Sequence, residues 1–320
     1  MKHFWQNLPK PFTCLAPLDG VTDVVFRQVI AEIGKPDVMF TEFTMTDGYV
    51  SQGKNRVRER LLLEKSQKPV IAQIWGTKPD HFYQTALELK DMGFSGIDIN
   101  MGCPDRTVIR DGACSALINN MTLAKEIIKA VREGAKDVPV SVKTRIGFDK
   151  PQIDEWITFL LEQHLDALTV HLRTVRELSD VPAHWDVMPV IKKLRDTIAP
   201  DTIVIGNGDI LSLSEIQDKY SKYGIDGFMV GRGIFANPWM FDKHKEFEQI
   251  TIAERIGLFA HHVDLYDKRW GDEKNFANLK KFAKTYISNF SGSAKLREEL
   301  MRSKSMEELK EILHRHSQHL

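Results

Sequence analysis

Short apolar runs rich in β-branched residues alternate with longer amphipathic stretches over roughly residues 12–239 of this 320-residue chain. Runs of this length, bounded by glycine, proline or polar residues, predict buried strands. There are eight of them, near residues 14–17, 38–41, 70–75, 97–100, 140–144, 167–172, 203–206 and 227–230. The intervening stretches carry apolar residues at three- and four-residue spacing, which predicts helices. These helices lie near residues 24–33, 80–92, 123–133, 153–163, 187–197 and 214–223.

Repeated strand and helix units predict an α/β fold with a parallel sheet. Eight consecutive units favour a closed (β/α)8 TIM barrel, because crossovers are right-handed and closure leaves no edge strand. A doubly wound open sheet is the alternative that has the same order of elements.

The strand pattern stops after residue 239, and the rest of the chain is periodic as helices are. The spacing predicts helices over residues 252–269, 276–290, 294–301 and 306–316. We therefore predict a barrel catalytic domain over residues 1–245 and a small all-helical C-terminal domain over residues 246–320.

Composition narrows the class of protein. No apolar run is long enough for a membrane helix and the N-terminus lacks a signal-peptide pattern, which together predict a cytoplasmic protein without membrane contact. The three cysteines, Cys14, Cys103 and Cys114, have neither disulfide-framework nor zinc-site spacing, so no metal is predicted. The chain gives no sign of an obligate protein partner.

Charge is unevenly distributed although the formal net charge is zero. Between Lys274 and Lys304 the chain has eight basic and two acidic residues. Such a stretch is often only a solvated helix face. It also has the charge that a nucleic-acid ligand requires, because neutralised phosphates supply much of that affinity.

Chemically informative residues lie in or just beyond the C-terminal parts of the predicted strands. In a barrel, the C-terminal ends of the strands carry the active site. The residues at these ends are Pro17, Leu18, Asp19, Gln73, Asn100, Cys103, Lys143, Arg145, His171, Arg173, Asn207, Gly208, Asp209, Gly231 and Arg232. Each one alone is more often a satisfied polar residue or an inert buried cysteine. Their recurrence at the ends of seven strands predicts an active site.

Glycine-rich loops follow the last two predicted strands, at Gly208 and at Gly231-Arg232. Backbone N–H groups of such loops bind phosphate in barrel enzymes, and an arginine adds a charged hydrogen bond. No GxGxxG fingerprint follows the first strand, which favours a mononucleotide cofactor over a dinucleotide bound in a Rossmann fold.

Taken in order, the motifs of the chain resemble those of the tRNA-dihydrouridine synthases. The resemblance rests on Pro17-Leu-Asp-Gly-Val-Thr-Asp23, Gln73-Ile-Trp-Gly76, Asp98-Ile-Asn-Met-Gly-Cys-Pro104, Val142-Lys-Thr-Arg-Ile-Gly147, His171-Leu-Arg-Thr174, Gly206-Asn-Gly-Asp209 and Val230-Gly-Arg-Gly233. It implies a flavin-containing barrel followed by a helical tRNA-binding domain. The implied reaction is the NADPH-dependent reduction of uridine in tRNA to 5,6-dihydrouridine.

The resemblance also implies roles for individual residues. Cys103 is the expected proton donor to C5 of uracil, after hydride transfer from flavin N5 to C6. The expected contacts of tightly bound, non-covalent FMN are Pro17, Leu18, Asp19, Gln73, Lys143, His171, Asn207, Gly208, Asp209, Gly231 and Arg232. The expected tRNA contacts are Asn100 and Arg173 at the barrel and Lys280, Lys281, Lys284, Lys295 and Arg297 in the tail. Cys114 is the rival proton donor.

Two other functions fit parts of the pattern. One is an FMN barrel that reduces a small enone or a pyrimidine without RNA. The other is an RNA-binding protein on a barrel that no longer catalyses a reaction.

Overall fold

The computed structural model describes residues 3–317, and its central element is a closed barrel of eight parallel strands. The strands are β1 Phe12–Leu15, β2 Val38–Phe40, β3 Val70–Trp75, β4 Gly96–Met101, β5 Val140–Arg145, β6 Ala167–His171, β7 Ile203–Asn207 and β8 Gly227–Val230. Each strand pairs with the next, and β1 also pairs with β8 through Phe12 and Gly227. The predicted TIM barrel is therefore confirmed, since an open sheet would not return to its first strand. A two-residue strand, Thr44–Met45, extends the pairing at β3.

Helices fill the connections between strands. They are Val24–Ile33, Thr46–Tyr49, Lys54–Arg58, Pro79–Leu89, Arg106–Arg110, Met121–Ala135, Thr158–Leu161, Met188–Ile198 and Leu213–Tyr223. A short helix, Gly233–Ala236, follows β8. A π-helical turn, Ile153–Ile157, precedes Thr158–Leu161, and the two together occupy the helix predicted over residues 153–163. No helix among residues 3–317 is long and apolar enough to cross a lipid bilayer.

The barrel interior is apolar toward the N-terminal ends of the strands. Side chains from alternate strand positions meet there, because successive residues of a strand point to opposite faces. Phe12, Cys14, Phe40 and Met229 belong to this cluster and are fully buried. Trp5, from an N-terminal 3₁₀ turn, is also fully buried, with its ring 5.9 Å from that of Phe12. The N-terminal segment thus closes the end of the barrel where β1 begins.

The chain divides into two compact units. The first contains the residues up to Val24 and Pro36–Gly231, and the second contains Val25–Lys35 together with the chain from Arg232 onward. The second unit therefore includes most of the helix that follows β1. Within this unit Phe26 stacks on Phe282, with ring centroids 5.2 Å apart.

The C-terminal part of the second unit is helical among the described residues, with Ile252–Trp270, Ala283–Tyr286, Ser293–Arg302 and Met306–Ser317. The single helix predicted over residues 276–290 is wrong. A 3₁₀ helix, Phe276–Phe282, leads into the short helix Ala283–Tyr286. Apolar residues at 276, 279 and 282 recur at intervals of three, which matches three residues per turn.

Candidate active site

Polar side chains occupy the barrel interior toward the C-terminal ends of the strands. The register makes Gln73 and Ser141 the two lateral neighbours of Asp98. Two residues further along β4, Asn100 lies beside Lys143. His171 ends β6 beside Asn207. Strands far apart in sequence therefore bring five of the predicted site residues, Gln73, Asn100, Lys143, His171 and Asn207, to one rim.

A buried chain of hydrogen bonds begins at Asp98. Its carboxylate accepts from Ser141 Oγ at 2.6 Å and from Gln73 Nε2 at 2.7 Å. Gln73 Oε1 in turn accepts from Asn100 Nδ2 at 3.1 Å. Burial raises the pKa of Asp98 to about 6, so the group is mostly ionised at neutral pH. Because an ionised carboxylate only accepts hydrogen bonds, it fixes the orientation of both amides.

The loop that carries Cys103 is held by side chains at its base. Asn100 Oδ1 accepts from the backbone N–H groups of Gly102 and Cys103, each at 3.0 Å. Arg145 Nε donates to the Gly102 carbonyl at 2.9 Å, and Ser115 Oγ donates to the Cys103 carbonyl at 2.7 Å. The half-buried Cys103 side chain therefore sits on a fixed backbone at the barrel rim.

The Cys103 thiol is more acidic than an ordinary cysteine. A hydrogen bond from the Cys114 side chain is the main cause, and it lowers the pKa of Cys103 to about 7, with further help from the Asp105 backbone N–H and the Arg145 charge. An unperturbed cysteine thiol has a pKa of about 8.5. A pKa closer to the working pH suits a general acid better than that ordinary value.

Lys143 lies above Asp98 on the adjacent strand and donates to Asn207 Oδ1 at 3.2 Å. Asn207 Nδ2 donates to the Met229 carbonyl at 2.8 Å, which fixes the amide with its oxygen toward the lysine. Burial and the nearby Arg145 lower the pKa of Lys143 to about 8, against the opposing effect of Asp98. The side chain is therefore mainly a cation at neutral pH.

Arg173 is bound within the protein. Nε donates to the Val181 carbonyl at 2.6 Å, Nη2 donates to Asp209 Oδ1 at 2.7 Å, and Nη1 lies 3.2 Å from His171 Nε2. A guanidinium has no acceptor, so His171 Nε2 accepts and the ring proton lies on Nδ1. Arg173 thus fixes the tautomer of His171 and joins the loops after β6 and β7.

The loop after β1 carries three more of the predicted site residues. Pro17 is buried, and Leu18 packs against the apolar cluster of the barrel. Asp19 is exposed and forms an ion pair with Arg60. The backbone N–H of Gly20 donates to the buried Glu42 at 2.7 Å, which fastens this loop to the residue beyond β2.

The two glycine loops differ in their surroundings. Gly208 has φ +136°, and a Cβ there would lie 2.8 Å from that of Ala183, so the position requires glycine. A Cβ at Gly231 would meet no atom within 4 Å. Open space thus adjoins the backbone just beyond β8. Arg232 is exposed and begins the second unit.

The predicted tRNA contacts of the tail differ in exposure, and Lys280 and Arg297 are half-buried. Lys281, Lys284 and Lys295 are exposed. Lys280 Nζ donates to the carbonyls of Met301 and Ser303, at the end of the helix Ser293–Arg302. Arg297 Nη1 donates to the Ile287 carbonyl at 2.7 Å.

Sequence reasoning assigned no role to Asp98. It stands two residues before Asn100 in the same strand, and residues two apart share one face. A charged residue inside an otherwise apolar strand is the signal that could have identified it, because such a group requires partners when buried.

Comparison with known protein families gives a match to the dihydrouridine synthase family over residues 14–319. A probable tRNA-dihydrouridine synthase 2 of Bacillus subtilis is 44% identical over 315 residues, which cover 98% of this chain and 96% of the relative. A probable tRNA-dihydrouridine synthase of Staphylococcus epidermidis is also 44% identical, over 98% of this chain and 95% of its own length.

Solved structures share the barrel at much lower identity. A histamine dehydrogenase from Rhizobium sp. 4-9 has a TM-score of 0.55 at 13% identity, covering 79% of this chain and 48% of that protein. An old yellow enzyme homologue from Zymomonas mobilis has a TM-score of 0.52 at 14% identity, covering 77% and 94%. At these identities the likeness concerns the fold.

Proposed function

Because this chain belongs to the dihydrouridine synthase family, we propose that it reduces specific uridines of tRNA to 5,6-dihydrouridine, with FMN as resident cofactor and NADPH as electron donor. The observation that carries the proposal is the thiol of Cys103, held at the barrel rim beside a layer of fixed polar groups. The full-length match to relatives described as probable tRNA-dihydrouridine synthases supports the same reaction.

The groups at the rim fit FMN. A flavin ring needs donors and positive charge at its pyrimidine edge, and Lys143, Gln73 and His171 are the side chains proposed to provide them. Asn207 orients the lysine. The open space beside Gly231 allows a phosphate to approach the backbone. Pro17, Leu18, Asp19, Gly208, Asp209 and Arg232 are proposed as further contacts. The side chains of Asp19 and Asp209 already pair with arginines.

FMN, when bound, would supply the hydride for C6 of the uracil ring. The chain supplies the remaining proton, charge and alignment. Cys103 gives the proton that C5 requires. Lys143 offers a fixed positive charge to the negative charge that develops on the cofactor when it is reduced. Asn100 Oδ1 is occupied by backbone N–H groups. One N–H of Nδ2 donates to Gln73 Oε1, so the second N–H is the proposed donor toward a uracil carbonyl.

Replacing Gly231 with alanine should weaken FMN binding by about tenfold or more, because a methyl group would occupy space that the phosphate needs, and about 1.4 kcal/mol corresponds to tenfold. Titration of the apoprotein with FMN, followed by flavin fluorescence, measures the change. Gly257 is the matched control, since a Cβ there also meets no atom within 4 Å. Gly257→Ala lies in the helix Ile252–Trp270 and should stabilise it by about 0.5–1 kcal/mol without affecting FMN. Unchanged FMN affinity in Gly231→Ala would contradict the assignment.

The helical unit is proposed to bind tRNA through its exposed lysines. Lys281, Lys284 and Lys295 lie at the surface, where their ammonium groups can reach phosphates. Lys280 and Arg297 contribute charge from positions where they already bind carbonyls. A target base must leave its stack to enter the barrel, so the RNA has to be held firmly while the base is extruded.

Changing Lys281, Lys284 and Lys295 together to alanine should weaken tRNA binding and make it less sensitive to salt. The slope of log affinity against log salt should become shallower by about 0.7–0.9 for each phosphate that the variant no longer neutralises. Filter binding at several salt concentrations measures both effects. The control replaces three exposed lysines of the barrel unit, Lys125, Lys129 and Lys150. An equal change in both triple variants would show that only overall charge matters.

The function itself is tested with purified protein, NADPH and tRNA from cells that lack dihydrouridine. We expect a yellow protein that oxidises NADPH only when RNA is present, and dihydrouridine in the digested product. Turnover of a small enone or free pyrimidine without RNA would instead support the alternative reductase. A colourless protein that binds tRNA would support an RNA-binding role.

A further inference from the structure

The Cys103 and Cys114 side chains lie close enough to interact, and each shifts the pKa of the other. Ser115, the next residue in the chain, fixes this approach because its Oγ donates to the Cys103 carbonyl at 2.7 Å. The remaining cysteine, Cys14, lies in the apolar cluster of the barrel. The loop after β4 thus contains a pair of neighbouring thiols.

The two thiols differ in exposure and acidity. Cys103 is half-buried, and its pKa of about 7 provides a large thiolate fraction at neutral pH. Cys114 is fully buried, and burial raises its pKa well above the usual range. Oxidants attack accessible thiolates, and a neighbouring thiol then resolves the product into a disulfide. Cys103 is therefore suited to be the thiol that is oxidised first, and Cys114 is suited to be the thiol that resolves the product.

Backbone conformation holds the second thiol in place. Cys114 has φ +51°, a left-handed conformation that glycine adopts readily and other residues seldom do. It begins the 3₁₀ helix Cys114–Asn119, which the Ser115 hydrogen bond joins to the Cys103 loop. The surrounding structure therefore keeps this sulfur beside Cys103 at a position where glycine would be less strained.

We propose that Cys103 and Cys114 form an oxidation site that takes hydrogen peroxide or an organic hydroperoxide and closes to a reversible disulfide. The Cys103 thiolate attacks a peroxide oxygen, the O–O bond breaks, and a sulfenic acid forms while water or an alcohol leaves. The Cys114 thiol then attacks that sulfur, the S–O bond breaks, and the hydroxyl group leaves as water with the proton of the Cys114 thiol. The two thiols lose two electrons and two protons overall, and the peroxide is reduced.

The consequence for activity rests on the proposed function. A Cys103 sulfur bound in a disulfide has no proton to give, so uridine reduction should stop until a thiol reductant restores both thiols. Formation of the disulfide itself does not depend on that function.

In the experiment, the full-length protein is treated with increasing hydrogen peroxide. Its intact mass and the disulfide-linked peptides in its digest are then measured under non-reducing conditions. We expect a mass loss of two hydrogens and a disulfide that joins the peptides containing residues 103 and 114. Turnover should fall in proportion to the fraction of protein that carries this disulfide. Dithiothreitol should reverse all three. Cys14→Ser is the control and should form the same link.

Cys114→Ser keeps a hydrogen-bonding group but cannot form the link, and Cys114→Gly additionally suits the positive φ. Both should accumulate sulfinic acid at Cys103 and lose activity that dithiothreitol does not restore. Oxidation of the unsubstituted protein without a 103–114 link, or equal recovery in the Cys114 variants, would overturn the proposal. A link formed in protein that never reduces tRNA would support the oxidation site and count against the proposed function.

Discussion

Replacing Cys103 with alanine should lower dihydrouridine formation by about 10²–10⁴-fold, the usual contribution of a positioned general acid. Cofactor binding should persist, because the loop is fixed through backbone groups of residues 102 and 103, which the substitution keeps. Single-turnover reduction of tRNA by the pre-reduced enzyme measures the loss, and flavin absorbance of the purified variant measures retention. Cys14→Ala, which changes the cysteine of the barrel core, should retain activity. Full activity in Cys103→Ala would assign the proton to another donor.

The same assignment predicts a pH dependence. The donor is active when protonated, and the pKa of Cys103 is about 7, so the rate should fall as pH rises through about 7. The hydrogen bond from Cys114 is the main cause of the lowered pKa. Cys114→Ala should therefore move this fall in rate to higher pH, as a pH–rate profile of the variant would show. A fall that stays in place would show that another group titrates.

Replacing Lys143 with methionine should slow reduction of the cofactor by NADPH by about 10²–10³-fold, the usual effect of removing one fixed group that stabilises developing charge. The cation is the active form, and the pKa of Lys143 is about 8, so in the unsubstituted enzyme this step should also slow as pH rises through about 8. Anaerobic stopped-flow bleaching of the flavin measures the rate, and redox titration measures the accompanying fall in flavin potential.

Lys150 provides the matched control. It follows the same strand but is exposed to solvent, so Lys150→Met removes an equal charge away from the rim. Its effect should be small, because exposed charges are well screened. Equal slowing in both variants would trace the effect to overall charge and would contradict the role assigned to Lys143.

Much of the barrel could be predicted from sequence because its strands are short apolar runs between clear helices. The limits of β3 and β8 agree with the predicted residues, and the helix Val24–Ile33 was also predicted correctly. The region 276–290 was not, since apolar spacings of three and four residues look alike in a short segment. The division of the chain at residue 245 stays a prediction.

For the site, sequence identified the strand ends but not the contacts between them. The hydrogen bond from Gln73 to Asp98 depends on the register of the two strands, and a shift of one residue would break it. The engagement of Arg173 with Asp209 was equally hidden, because it joins two separate loops. A role of Arg173 in binding the nucleotide remains a prediction, and the structure adds its hold on His171.

The stacking of Phe26 on Phe282 limits how this protein can be divided. Residues 25–35 are encoded early in the chain but belong to the C-terminal helical unit. A fragment that ends at residue 245 would retain Phe26 but lose its aromatic partner. Chimaeras that exchange RNA-binding tails between relatives should therefore exchange this early helix as well, so that a successful graft needs two segments of the gene.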